Sequence, residues 1–468
     1  MNTADFGAKL WSLCHVLRDD GIVYHKYLSE LSYLLFLKMA DESDSEADLP
    51  PGCRWRDLRA NSGPGMVSFY RKMLTRLGED AANDRIRRIF AFPTTVFSHD
   101  ENLAKVFRSM DGLDWHSIGA DRFGDLYEYL LERASTEARA GAGQYFTPRA
   151  LVDCLVDIMR PVAGEIIQDP AAGTGGFLVA TQRYLLRSDP VVSSKTTFEG
   201  VEIERDTYRL CLMNFFLHGM TGVLINGDAL TRDADGLQPA DLILANPPFG
   251  SSGGGARARR TDLKVVTSNK QLLFVQHIYR SLKPGGRAAV VVPDNVLFET
   301  GAGRRVRKEL FDTCDVHTIL RLPVGIFYAT GVSTVVLIFT KSQPDRLTGN
   351  DRLWVYDLRS NYPKLGRGNQ FDASSLANFK SFYGQDPLGK SFRPEQGKDF
   401  HSWTRQDIID RDYDLNLVRS SEHNVEDVAD PEELAIAIAD RLREALSEIE
   451  GLASDLADLR KPATAGST

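Results

Sequence analysis

The 468-residue chain has little cysteine: five residues, at Cys14, Cys53, Cys154, Cys211 and Cys314. Odd in number and far apart, they exclude a disulfide framework and offer no paired spacing for zinc, so reduced, mostly buried thiols are expected and no metal. Long apolar runs are missing as well. None reaches the ~18 residues of a membrane span, and the opening MNTADFGAKLWSLCHVLRDD scatters charges through its apolar stretch instead of forming a signal-peptide core. A soluble, intracellular protein is the expectation. Positive charge is in deficit too. The 56 Lys+Arg against 64 Asp+Glu leave −8, the wrong sign for a protein that coats nucleic acid unaided.

What is present is globular: 43% hydrophobic and 26% charged residues disfavour long disorder or a fibre. The length exceeds the ~250 to 300 residues at which one core stops growing, so two or three domains are expected. Residues 1–135 read as helical, with Leu28, Leu31, Leu34, Leu35 and Met39 at three- and four-residue spacing and turns such as Leu49-Pro50-Pro51-Gly52. From about 165 to 341 the pattern changes. Seven β-rich runs, EIIQDP, TTFEGVEIE, GVLINGD, DLILANPP, RAAVVVP, HTILRLP and STVVLIFTK, alternate with helical segments, which predicts an α/β domain with a mostly parallel seven-stranded sheet. Ligands of such a sheet gather at the C-terminal ends of its strands. The domain is taken as 136–425, its last 85 residues showing no periodicity. In the tail, 426–468, Ile438, Leu442, Ala445, Ile449, Leu452, Leu456 and Leu459 step by four and three. That spacing predicts a coiled-coil helix of about three heptads, or an amphipathic helix packed on its own domain.

The first run leads into Asp169-Pro170-Ala171-Ala172-Gly173-Thr174-Gly175-Gly176-Phe177. Glycines here let the backbone turn sharply and approach a ligand that a Cβ would exclude. The position that a dinucleotide fingerprint reserves for a third glycine holds Leu178, which disfavours NAD. A phosphate-loop pattern at Gly384 to Ser391 lacks a preceding apolar strand, and Pro394 blocks the helix it needs, so it reads as a chance match. Glu202 and Asp228 follow at the ends of the second and third runs. A carboxylate at the second tip can accept both ribose hydroxyls of a nucleoside, and one at the third an adenine amino hydrogen.

The fourth run ends in Asn246-Pro247-Pro248-Phe249-Gly250. The prolines fix the backbone and remove N–H groups, leaving the Asn246 amide oxygen and the Pro247 carbonyl as convergent acceptors. Such a pair suits a planar NH2 group whose lone pair is delocalised, because two acceptors on its hydrogens push it toward an attacking geometry. Phe249 would stack on the ring that carries it.

Asp169 to Phe177 followed by Asn246 to Phe249 resembles the amino-methyltransferases that use S-adenosylmethionine. Gln144-Tyr145-Phe146-Thr147-Pro148-Arg149 upstream sharpens the resemblance to the modification (methyltransferase) subunit of type I restriction-modification systems, of the gamma group that methylates adenine N6 in DNA. The resemblance implies a Rossmann-like methyltransferase sheet with a helical N-terminal domain and a C-terminal helix. It assigns Gln144 to Arg149, Asp169, Gly173, Thr174, Gly175, Gly176, Glu202 and Asp228 to S-adenosylmethionine, and Asn246, Pro247, Pro248 and Phe249 to a target adenine flipped out of the duplex. It implies double-stranded DNA, a specificity subunit, a second modification subunit and a restriction subunit as partners, in a bacterial or archaeal cytoplasm.

Ser251 to Arg260 follows the Asn246 motif, and Arg257, Arg259, Arg260 and Lys264 would contact phosphates beside the flipped base. Methylation of protein glutamine or of RNA is the alternative, as is a non-catalytic cofactor-binding subunit. Cytosine C5 methylation is disfavoured because no cysteine lies near Asn246 to act as nucleophile.

Overall fold

The computed structural model describes residues 3–13, 24–43, 45–117, 122–138, 147–188, 195–250, 260–323, 325–327, 333–343, 351–359 and 371–417. The heptad tail, Gln144, Tyr145, Phe146, Arg257 and Arg259 lie outside them. Nine strands are present among the described residues: β1 Ile166–Asp169, β2 Thr197–Glu202, β3 Val223–Asn226, β4 Ala240–Ala245, β5 Leu282–Pro293, β6 Cys314–Arg321, β7 Thr334–Lys341, β8 Arg352–Asp357 and β9 Phe400–Thr404. They form one sheet in the order β3-β2-β1-β4-β5-β7-β6-β8-β9.

β1 to β7 fall on the seven apolar runs, and two further strands correct the expected count to nine. The sheet is also more mixed than expected. β1 is parallel to β2 and β4, and β4 to β5. β7, however, lies between β5 and β6 and runs against both, and β9 runs against β8, itself parallel to β6. Because β1, β2, β4 and β5 are parallel, their C-terminal ends share one edge of the sheet.

The chain divides into two compact units: residues 1–146, 172–175 and 202–226 in one, and 147–171, 176–201 and the described part of 227–468 in the other. In the first, the described residues before 139 form helices and short 3-10 turns without a strand, among them Tyr24–Glu42, Met66–Asp80, Asp100–Asp111 and Phe123–Ala138. Trp55 packs on Phe107 with ring centroids 4.4 Å apart. The helix Arg205–Leu217 belongs to this unit because its side chains bond there: Phe216 meets Phe36 at 4.9 Å, and buried Arg209 donates to the Ala91 carbonyl at 3.1 Å. Arg85 likewise donates to the Met220 carbonyl at 2.8 Å.

The second unit is built on β4 and β5. Ala288 to Val292 and Leu242 to Ala245 are fully buried, the near-continuous apolar pattern of strands covered on both faces. The helix Lys270–Ser281 starts where the Asn269 side chain accepts from the Leu272 amide at 3.2 Å. It buries Leu272, Val275, Ile278 and Tyr279 in the same cluster, a helical stripe in which each aliphatic contributes roughly 1.5–3 kcal/mol. Buried Arg287 on β5 grips Glu165 with two nitrogens at 2.7 and 3.1 Å and donates to the Met159 and Arg160 carbonyls, fixing the entry to β1.

The stretch 351–417, whose sequence shows no clear periodicity, contributes β8, β9 and the helices Ala377–Tyr383 and Arg405–Asp410. Arg393 fastens it, with its guanidinium 4.5 Å from the Trp354 ring and donating to Thr318 Oγ1 at 2.7 Å. In the phosphate-loop pattern, the amides of Gln385 and Asp386 donate to Ser391 Oγ, and no helix follows. The chance-match reading agrees with this geometry.

Candidate active site

β1 ends at buried Asp169, whose Oδ1 accepts from the Ala171 amide at 3.0 Å and starts the glycine turn. Gly175 donates to the Ala172 carbonyl at 2.7 Å. Gly173 and Gly175 have φ of +54° and +84°, which L side chains rarely adopt. At Gly175 a Cβ would stand 3.0 Å from Cys211 Sγ and 3.2 Å from the Phe215 ring. At Gly173 and Gly176 it would meet nothing within 4 Å, so the backbone there borders open space. Asn214, fully buried, donates to the Thr174 carbonyl at 3.0 Å and holds the turn from the side of the helix Arg205–Leu217.

Glu202, the last residue of β2, reaches the same turn: its Oε2 accepts from the Gly173 amide at 2.9 Å and its Oε1 from the Glu204 amide at 2.8 Å. Burial pushes its carboxyl up from the ordinary value, against the lowering effect of those amides. The Ile203 amide adds a third such contact, so of the roughly four lone-pair sites of the carboxylate about one is left for a further donor. The next residue, Ile203, is 59% exposed, a large apolar side chain beside an acid at a strand tip. Sequence reading missed it, although VEIE offers the signal of an isoleucine between two acids. Asn226 donates to the Glu202 and Ile203 carbonyls at 2.9 and 3.3 Å and steadies the tip. Asp228 lies in the other unit, its Oδ1 accepting from the Leu230 amide at 2.9 Å and its own amide donating to Asp233.

At the end of β4, Asn246 donates through Nδ2 to Thr147 Oγ1 at 2.9 Å. Its Oδ1 is shielded from solvent and has no hydrogen-bond partner. Leaving a buried acceptor unmet costs roughly 1–3 kcal/mol, which an arriving N–H donor would return. Pro247 is buried, Pro248 exposed and Phe249 half-buried, and Gly250 takes φ +105° to turn the chain away. Phe327 stands edge-on to Phe249 with centroids 6.3 Å apart. It too escaped sequence reading, since it follows β6 without any periodic signal. Thr147 was assigned to the cofactor through its motif, whereas its hydroxyl here meets Asn246. Pro148 caps the helix Arg149–Met159, which Arg149 begins.

Of the basic residues, Lys264 is exposed. Arg260 is engaged: two of its nitrogens donate to Asp262 at 2.9 and 2.6 Å, and a third meets His277 Nδ1 at 2.8 Å. Burial and the neighbouring guanidinium push the His277 imidazole down to about 3, so it stays neutral and can accept. Elsewhere, Asp125, Glu128 and His218 bring possible metal-ligand atoms within 4.8 Å of one another, with His218 Nδ1 2.9 Å from the Asn214 carbonyl. Cys53, Cys154, Cys211 and Cys314 are buried thiols, with burial pushing Cys154 and Cys314 up to about 12, too high for a nucleophile. Among the described residues no helix is long and apolar enough to cross a membrane.

Residues 119–428 match the model of a family described as N-6 DNA Methylase. The chain is 45% identical over 420 residues to the type I restriction enzyme StySPI methylase subunit of Salmonella potsdam, covering 84% of this chain and 79% of that protein. It is 40% identical over 521 aligned positions to the type I restriction enzyme EcoKI methylase subunit of Escherichia coli K12, covering 98% of each. It also resembles the crystal structure of the EcoKI M protein, with a TM-score of 0.55, 35% identity, and coverage of 98% of this chain and 97% of that one.

Proposed function

The chain belongs to the N-6 DNA methylase family, among the methylase subunits of type I restriction enzymes, and from that membership we propose how its residues methylate adenine N6 in double-stranded DNA. The observation that carries the proposal is Asn246, whose amide nitrogen is held by Thr147 while its buried oxygen lacks a donor. An exocyclic amino group is such a donor. Thymine and uracil present a carbonyl in its place, and would leave the roughly 1–3 kcal/mol cost unrelieved.

In this reading the target adenine leaves the duplex, because a base inside the stack cannot reach a strand tip, at a cost of a few kcal/mol. Asn246 Oδ1 and the Pro247 carbonyl accept its two amino hydrogens and free the nitrogen lone pair for attack. Phe249 and Phe327 supply aromatic surface against the ring, worth about 1–3 kcal/mol per stacked base. The proton released from nitrogen goes to water, since an amide oxygen is too weak a base to keep it.

S-adenosylmethionine is the methyl donor we assign, supplying an electrophilic methyl on a sulfonium sulfur that leaves as a neutral thioether. The open space at Gly173 and Gly176 and the Glu202 carboxylate fit such a ligand. Glu202 accepts from its ribose, Ile203 offers an apolar face to its purine, and Asp228 takes the purine amino hydrogen. Asp169 shapes the turn, with Thr174 and Gly175 in it, and Gln144 to Arg149 complete the cofactor side. No metal enters this assignment.

We further assign residues 1–135 to a helical domain, 136–425 to the catalytic domain, and 426–468 to attachment of a specificity subunit, with a second methylase subunit and a restriction subunit in the full assembly. Arg257, Arg259 and Lys264 take the phosphate contacts. Arg260, engaged with Asp262 and His277, is given the role of anchoring the segment instead. Incubation with the specificity subunit, methyl-labelled cofactor and plasmid DNA, followed by nucleoside digestion, is expected to put the label in N6-methyladenine. Label in cytosine, in protein or in RNA, or none in DNA, overturns the reading.

A further inference from the structure

Three large apolar side chains are more than three-quarters exposed among the described residues: Phe92 at 79%, Phe392 at 95% and Val266 at 77%. Val266 alone belongs to the chain that leaves the Asn246 turn. That chain is pinned where it returns, the Lys270 amide donating to the Gly250 carbonyl at 3.1 Å and the Arg260 amide to the Leu230 carbonyl at 3.1 Å. Between these points the segment alternates, with Leu263 and Val265 buried and Lys264 and Val266 facing out.

The alternation is enforced from below. Gln276, fully buried, accepts from the Val265 amide at 2.9 Å and donates to the Val265 carbonyl at 3.0 Å, as a paired strand would. Arg260, clamped by Asp262 and His277, fixes the start. An exposed apolar residue on a segment held this firmly gains nothing from its position in the free protein.

We propose that Val266 is the wedge that enters the base stack as the target adenine leaves it, with Lys264, two residues earlier on the same side, against a backbone phosphate. The inference rests on the adenine-flipping reading above. Apolar side chains inserted at a base step offset part of the lost stacking, and the neighbouring cation fits a polyanionic duplex as the occupant of this face.

The test uses the complex reconstituted with its specificity subunit, comparing wild type with Val266→Ala on two duplexes. One has the target adenine paired with thymine, the other has it opposite an abasic site, where no partner must be broken. The variant is expected to lower kcat/KM about tenfold on the paired duplex and less than about twofold on the unpaired one. With 2-aminopurine at the target position, its fluorescence on binding is expected to fall in the variant. Equal losses on both duplexes, no loss on either, or loss of the specificity subunit from the variant complex each overturn the proposal. Failure of the wild type to label adenine in either duplex overturns the underlying reading instead, so the two failures are distinguishable.

Discussion

Glu30 lies on the helix Tyr24–Glu42 with 1% of its surface exposed, and its carboxylate accepts from the Val96 amide at 2.8 Å. Burial outweighs that bond and pushes the carboxyl from 4.5 up to about 7. Below pH 4.5 the group is protonated in both native and unfolded chains and costs nothing. Between 4.5 and 7 the unfolded chain ionises first, so stability falls as pH rises. Above 7 the native state carries a penalty of about 3 kcal/mol, at 1.36 kcal/mol per pH unit of displacement. Glu30→Gln keeps an oxygen for Val96 and removes the charge. Allowing for the partners its new NH2 needs, a gain of about 1–3 kcal/mol is expected at pH 8 and none at pH 4.5. At roughly 2–4 °C per kcal/mol for a unit of this size, scanning calorimetry of the full chain should show the transition of the unit that holds Glu30 rising by several degrees at pH 8. A shift of equal size at both pH values, or a lower midpoint at pH 8, would refute the reasoning.

Glu202→Gln removes a charged acceptor, and cofactor affinity by titration calorimetry is expected to fall about tenfold at pH 8. Because burial raises the Glu202 carboxyl, wild-type affinity should weaken as pH falls through its range, and a wild-type profile as flat as the variant's contradicts the assignment. Arg287→Ala leaves Glu165 without its ion-pair partner and two carbonyls without a donor, and about 3–5 kcal/mol of destabilisation is expected in urea unfolding, with under 1 kcal/mol as the contrary result.

The legible part of the fold was its buried centre. β4 and β5 announce themselves as apolar runs because both faces are covered, and the glycine turn because its backbone needs φ values that only glycine adopts freely. β9, Phe400–Thr404, gives no such signal: every residue in it is half-buried, as befits an edge strand. β8, Arg352–Asp357, lies in a part of the sequence that shows no periodicity around it. At the site, Asn246 was legible from the prolines beside it, but Thr147 as its partner was not, since the two lie 99 positions apart and only folding joins them. For Arg260 the neighbours were the part that was not legible. Its charge was counted toward DNA without Asp262, two residues on, or His277, which faces it from the helix Lys270–Ser281.

The central claim is that Asn246 acts on the target amino group and leaves cofactor binding to other residues. Asn246→Ala, assembled with the specificity subunit, puts that claim to its most direct measurement: calorimetric affinity for S-adenosylmethionine beside the rate of methyl transfer to duplex DNA. Affinity within about twofold of wild type is expected, with transfer slowed roughly 100-fold or more. Cofactor binding lost with transfer, or transfer near the wild-type rate, would contradict it.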